Sequence, residues 1–159
     1  MDKQFNRRHF LTAGAALAGS LLLPGALAAP GRERLRLGMI GTGMRGQVLL
    51  RELLRRNDVE VAALCDIDPV MLGRALAQAE KASKPRPRTF GEDRDPQAYK
   101  RMLDSKALDG VIIATPWEWH APMAIAAMQA KVPVGCEVVA GVSLQDHWDV
   151  LNTQLKTGT

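Results

Sequence analysis

Three glycines and one carboxylate carry the clearest chemistry in this sequence. Gly41, Gly43 and Gly46 stand in the run Gly41-Thr42-Gly43-Met44-Arg45-Gly46, and Asp66 follows 20 residues after the last of them. A turn of that composition presents bare main-chain amides, and a helix starting there points its positive dipole end the same way, which suits phosphate groups. Gly41 permits the tight turn, Gly43 lets the backbone approach a pyrophosphate, and Gly46 lets the helix lie close to the preceding strand. A carboxylate at Asp66 can accept both hydroxyls of an adenosine ribose and repels a 2′-phosphate, so the pattern favours NAD over NADP. The alternative is a glycine-rich turn of no ligand-binding consequence. It is disfavoured because strand, helix and acid all fall in register with the glycines.

The elements that must position these groups follow from periodicity. Residues 35–40 form an apolar strand feeding the glycines, 47–56 read as a helix, and 59–65 form a second apolar strand ending on Asp66. Asp68-Pro69 reads as a helix cap and first turn, with the helix running to residue 82. After the basic, proline-broken connection 84–88 come a minimal strand at 89–90 and a helix from Asp95-Pro96 to residue 103, with Tyr99 and Leu103 facing the core. Residues 110–115 read as a strand buried on both faces, 123–131 as a helix and 132–138 as a fifth strand. A last helix over 143–156 has Ser143 as its cap and Gly158 as its stop. Five strands alternating with five helices predict a parallel, doubly wound α/β sheet of the Rossmann type, in which a sixth strand is due where the chain stops. The sequence therefore reads as the N-terminal piece of a longer protein, its substrate domain lying beyond Thr159.

In such sheets ligands sit beyond the carboxyl ends of the strands. Trp117-Glu118-Trp119-His120 and Glu137 fall there, together with Gly41 and Asp66. Two of the chain's three tryptophans share one loop, and exposed indoles favour a flat cofactor as cover over ordinary packing on a neighbouring loop. His120 has the chemistry of a general acid or base, but a cofactor hydrogen bond or a helix-start contact fits it better, and no residue is assigned to catalysis. His147, beside Asp146 and Asp149, reads as part of a solvated face. No metal constellation is predicted, since His120, Cys65 and Cys136 lack clustered spacing.

Composition narrows the class. At 159 residues and 47% hydrophobic content the chain suits one globular domain. The formal charge of +4 is partly contributed by Lys3, Arg7 and Arg8, and the remainder is too small to argue for nucleic acid. Cys65 and Cys136 each end an apolar run and are expected to be buried at strand ends rather than paired. Residues 1–28 read as an export signal. Asn6-Arg7-Arg8-His9-Phe10-Leu11 resembles a twin-arginine motif, an apolar stretch runs to Leu23, and Ala26-Leu27-Ala28 offers a cleavage site. Gly14, Gly19, Pro24 and Gly25 weaken that stretch as a membrane anchor. The domain proper would be 29–159, in the periplasm or secreted.

Taken together, the glycine turn, Cys65-Asp66, Ala114-Thr115-Pro116 and the strand end at Glu137 resemble the N-terminal domain of the Gfo/Idh/MocA oxidoreductases. Thr115 to His120, Cys136-Glu137-Val138 and the segment from Asp146-His147-Trp148 to Thr159 are more narrowly similar to glycoside hydrolase family 109, bacterial α-N-acetylgalactosaminidases that keep NAD bound. The resemblance implies NAD contacts at Met44, Arg45, Asp66, Trp117, Glu118, Trp119, His120, Glu137 and Val138, beside Gly41 and Gly43 from the motif. It also implies a redox-neutral cycle in which a sugar is oxidised, loses its aglycone by elimination, adds water and is reduced again, outside the usual two-carboxylate scheme. Sugar dehydrogenases of the wider superfamily carry Glu-Lys-Pro where this chain has Glu137-Val138-Val139, so simple alcohol oxidation is less expected. Twin-arginine export of a folded, NAD-loaded protein agrees with a cofactor that is never exchanged. The expected partners are a small carbohydrate and the export machinery, with a homo-oligomer left open. The alternatives are an exported sugar oxidoreductase of the same fold and a noncatalytic dinucleotide-binding module.

Overall fold

The computed structural model describes residues 34–159. The first β-α-β unit is β1 (Leu35–Ile40), α1 (Met44–Leu54) and β2 (Val59–Cys65). It is followed by α2 (Pro69–Lys81), β3 (Arg88–Phe90), α3 (Ala98–Asp104) and β4 (Gly110–Ile113). A 3₁₀ turn at Trp117–Trp119 runs directly into α4 (His120–Gln129), and β5 (Val134–Cys136) and α5 (Leu144–Thr157) complete the described residues. Every strand pair is parallel, in the order β3-β2-β1-β4-β5, as expected for a doubly wound sheet. The strand order reverses between β1 and β4. Ile40 is level with Cys65 on one side and Ile113 on the other, so Gly41, Asp66 and Ala114 leave the sheet as neighbours.

Strand alternation divides the core into two layers. Met39 and Leu64 point to one face, where they pack with Leu50, Leu54, Leu72 and Ala75 of α1 and α2. Ile40, Cys65 and Ile113 point to the other, against Tyr99 and Met102 of α3 and Met123 and Ala127 of α4. Both layers are built from residues almost wholly removed from water.

Local chemistry sets most of the boundaries. The Asp68 carboxylate accepts from the amides of Val70 and Met71, and Pro69 occupies the first helical position of α2. Ser143 and Asp146 form a reciprocal capping box at the start of α5, and Gly158 ends that helix in the left-handed region at φ 70°.

Several expectations need correction, among them the start of α3, which lies at Ala98 and not at Asp95-Pro96. α1 starts at Met44 rather than at residue 47, because Gly43 serves as its N-cap and its carbonyl accepts from Gln47 N. α4 starts at His120 rather than at residue 123, with Pro122 in its first turn, where a missing amide costs no helical bond. β5 spans only Val134–Cys136. Val132 N closes the end of α4 on Ala127 O, and Pro133 has no amide to give to a ladder. β5 is also the edge strand, so Cys136 is exposed whereas Cys65 is buried, and burial pushes the Cys65 thiol up to about 12. Both cysteines are free. Among the described residues no helix is long and apolar enough to cross a membrane. The segment 1–28, read as an export signal, lies outside the described residues.

Candidate functional site

The glycine turn shows why each glycine stands where it does. Gly41 adopts φ +87°, and a Cβ there would lie 2.7 Å from the carbonyl carbon and oxygen of Ala114, at the end of β4. A Cβ on Gly46 would fall well inside contact distance of the Gly41 carbonyl oxygen, so α1 can cross β1 this closely only without one. Gly43 differs, because a Cβ there would meet no atom within 4 Å. Its missing side chain leaves the first turn of α1 open on the side away from the protein.

That first turn is bare in a second sense. α1 has no side-chain cap and no acidic residue at its start, whereas α2 and α5 are both capped by side chains. Unpaired amides and a positive dipole end at an uncovered helix start are the ingredients of an anion site.

A cavity of about 490 Å³ opens in front of this turn, in the crevice between the ends of β1 and β4 where an open α/β sheet holds its ligands. Gly41, Gly43, Met44 and Arg45 line one wall, and Asp66, Ile67 and Met71 line the side toward β2. Asp95, Pro96 and Tyr99 close it beyond β3, while Thr115, Pro116, Trp119 and Met123 form the wall beyond β4. The lining is mostly apolar with a few convergent polar groups, as suits a cofactor with flat rings at both ends.

Asp66 faces this cavity with its carboxylate already engaged. Oδ2 accepts from Thr42 N at 2.6 Å and from Thr42 Oγ1 at 2.9 Å, and Oδ1 accepts from Asp68 N at 2.9 Å. Three of roughly four acceptor directions are therefore filled by the protein, leaving about one for a ribose hydroxyl instead of the two expected. Thr42 itself is fully buried.

The remaining sequence-derived candidates separate into those at the cavity and those away from it. Trp119 is half-buried in the cavity wall, while Trp117 is 62% exposed and, with Glu118, stands outside the lining. The side chain of Val138 is also exposed and away from the lining. Glu137 is not in the lining but pairs with Arg45, which is, with Arg45 Nε 2.9 Å and a terminal guanidinium nitrogen 2.7 Å from the same carboxylate oxygen. That hydrogen bond holds the Glu137 carboxyl below the usual carboxylate range. His120 is fully buried, with Nδ1 2.7 Å from Val139 O and Nε2 2.8 Å from Thr115 O. A neutral ring donates to one of these carbonyls and a doubly protonated ring to both. Either way the imidazole ties the loop after β4 to the loop after β5, and its nitrogens are not turned toward the cavity. In this arrangement it ties the two loops together at the start of α4, where the sequence offered a helix-start contact beside a cofactor hydrogen bond.

Sequence reasoning missed Thr42, Met71, Asp95, Tyr99 and Met123. Tyr99 packs in the core as expected and also borders the cavity. Asp95 and Pro96 precede α3 instead of opening it, and reach the rim where β3 pairs with β2. The small polar Thr42 between two glycines was the one signal available for the link to Asp66. Among the described residues no group of histidine, cysteine and carboxylate side chains could hold a metal ion.

Comparison with known proteins agrees with this geometry. Residues 35–153 match the model of an oxidoreductase family with an NAD-binding Rossmann fold. A glycosyl hydrolase family 109 protein of Stenotrophomonas maltophilia (strain K279a) is 67% identical over 153 residues, covering 96% of this chain and 34% of that protein. An alpha-N-acetylgalactosaminidase of Tannerella forsythia is 37% identical over 175 residues, covering 96% of this chain and 37% of that enzyme. Among solved structures, myo-inositol 2-dehydrogenase from Lactobacillus plantarum superposes with a TM-score of 0.66 at 26% identity, over 78% of this chain and 34% of that one. The chain thus spans about a third of the length of the curated relatives it matches.

Proposed function

The chain belongs to the Gfo/Idh/MocA oxidoreductase family and is an NAD-binding Rossmann domain, and from that premise we propose that it is the N-terminal part of an exported glycosidase that cleaves N-acetylgalactosaminides. The observation that carries the reading is the crevice between β1 and β4, where an uncapped helix start, an open Gly43 and the Asp66 carboxylate face one cavity. The amides from Gly43 to Arg45 would hold the pyrophosphate, Asp66 the adenosine ribose, and Trp119 a flat face of the cofactor. A carboxylate at Asp66 disfavours a 2′-phosphate, which agrees with NAD as the dinucleotide. The placement of Trp117, Glu118, His120, Glu137 and Val138 in the cofactor site stays a proposal drawn from the family resemblance.

NAD, when bound, supplies reversible hydride acceptance, so one cofactor molecule can serve every turnover without net oxidation of the sugar. Two further observations support such a redox-neutral cycle. The position after Glu137 is Val138, so the lysine that serves alcohol oxidation in sugar dehydrogenases has no counterpart there. The relative from Tannerella forsythia bears the name of a glycosidase. Export by the twin-arginine route, and with it a periplasmic or secreted location, rests on Arg7-Arg8 and the apolar stretch after them. A carbohydrate is the proposed substrate, and residues outside this chain would bind it and carry out the chemistry.

A second reading, an exported sugar oxidoreductase, is favoured by the likeness to myo-inositol 2-dehydrogenase. The two separate in the full-length protein, using p-nitrophenyl N-acetyl-α-galactosaminide with no NAD added. The proposed function expects sustained release of p-nitrophenol over many turnovers. Formation of a ketosugar and reduced nicotinamide in one equivalent per bound cofactor, without release of p-nitrophenol, would establish the oxidoreductase instead. Binding of NAD with turnover of neither kind would leave a noncatalytic module.

A further inference from the structure

Resting on the reading of the glycine corner as a dinucleotide site, we propose that Gln47 is a positioning residue that holds the phosphate-facing turn in its binding shape. The turn needs an outside hold. Two of its residues are glycines, which surrender more conformational freedom on ordering than any other residue type. Thr42 between them is the only residue of Gly41-Thr42-Gly43 with a side chain to grip, and every polar group it has is taken. Its amide and hydroxyl donate to Asp66, and its carbonyl accepts from Gln47 Nε2 at 2.7 Å.

The same Gln47 nitrogen donates to the carbonyl of Met71, in the first turn of α2, at 3.0 Å. One side-chain amide therefore spans the phosphate turn and the helix beside the ribose-binding acid, two segments that line the same cavity. Gln78 Nε2 donates to Gln47 Oε1, which decides the amide's orientation, because with its oxygen held from behind its nitrogen must face the two carbonyls. Gln78 Oε1 is buried without a hydrogen-bond partner. A buried acceptor left unserved is uncommon, and here it accompanies the hold on Gln47.

A turn fixed before its ligand arrives loses less freedom when the ligand binds, and the gain appears as affinity. The effect should fall on ligands that use the turn and spare those that do not. NAD and ADP-ribose carry the pyrophosphate, whereas adenosine reaches only the ribose and adenine side.

The test uses full-length protein freed of nucleotide, with calorimetric titration of NAD, ADP-ribose and adenosine well below the melting temperature. Gln47→Glu keeps the length of the side chain but turns an acceptor toward two carbonyls. Gln47→Met keeps the length without adding charge and preserves the test should the first variant fail to fold. The expected result is a loss of about tenfold in affinity for NAD and ADP-ribose, the scale of one to two lost hydrogen bonds, with adenosine affinity changed less than twofold. A lowered melting temperature with unchanged NAD affinity would reduce Gln47 to structural glue and overturn the proposal. Equal losses for NAD and adenosine would also overturn it, since the whole cleft would then have shifted. Failure of the unaltered protein to bind NAD at all would instead sink the dinucleotide reading on which this one rests.

Discussion

The two ends of the strand-order reversal are held together in opposite ways. Around β1, the glycine turn and β2, stability comes from tertiary satisfaction. Thr42 is wholly buried with each polar group paired, and Gly41 and Gly46 let main chain lie against main chain. At the far edge, α5 contains no buried residue. Leu144, Trp148, Leu151 and Leu155 recur at helical spacing along one face, and all are exposed. The half-buried positions Asp146, Val150, Thr153 and Thr157 lie on the opposite face. This amphipathic helix turns its apolar stripe outward, packs on α4 through its partly buried side and is closed by caps at both ends. The corner that would bind a cofactor is thus specified by buried contacts between distant residues, and the ends of the edge helix by rules that act within it.

The strongest way to break this contrast is to add one methyl group at each end. Gly46→Ala places a Cβ against the Gly41 carbonyl, where neither backbone segment can yield cheaply, and should cost about 3 kcal/mol or more of unfolding free energy. Gly135→Ala in β5, with no atom closer than 4.0 Å, should cost less than about 1 kcal/mol. Urea denaturation of both variants checks the pair, and equal costs would mean that the corner is no tighter than the edge.

A smaller effect is expected on ligand binding. Asp66→Ala should weaken NAD by about 1.5 to 3 kcal/mol, the usual worth of a hydrogen bond to a charged group, because it removes a ribose acceptor and the anchor of Thr42 together. Calorimetry showing unchanged affinity would place the ribose elsewhere. Smallest of all are the changes on α5. Ser143→Ala should cost about 1 kcal/mol through the lost cap, while Leu155→Gln on the outward face should stay within about 0.5 kcal/mol. A Leu155 effect larger than the Ser143 effect, by thermal or urea unfolding, would show that the outward face is buried in solution.

The same division explains what could be read from the sequence. Gly41 and Gly46 were legible because main chain lies too close for a Cβ, and Gly43 and Asp66 because they fall at fixed spacing from those two in a known ligand-binding pattern. Asp68, Ser143 and Gly158 were legible because a cap depends only on its neighbours. What escaped needed two segments to meet. His120 reads as a cofactor or helix-start contact, and its link between the loops after β4 and β5 shows only once those loops bring carbonyls to both nitrogens. Cys136 reads as buried until β5 turns out to be the sheet edge. The reach of Gln47 to Met71, and the arrival of Asp95 and Tyr99 at the cavity, follow from strand order, which no local pattern encodes. The outward apolar face of α5 was equally hidden, since periodicity identifies a greasy stripe but not the direction it faces.

One wall of the cavity has an optical consequence. Trp119 stands in that wall, while Trp117 and Trp148 lie outside it. An indole so placed is a built-in lamp. Its ultraviolet emission overlaps the absorption band of a reduced nicotinamide and not that of an oxidised one, so a molecule held there would dim or spare the glow according to its electron count. The protein would then report, without any dye, whether its passenger carries a hydride at a given instant.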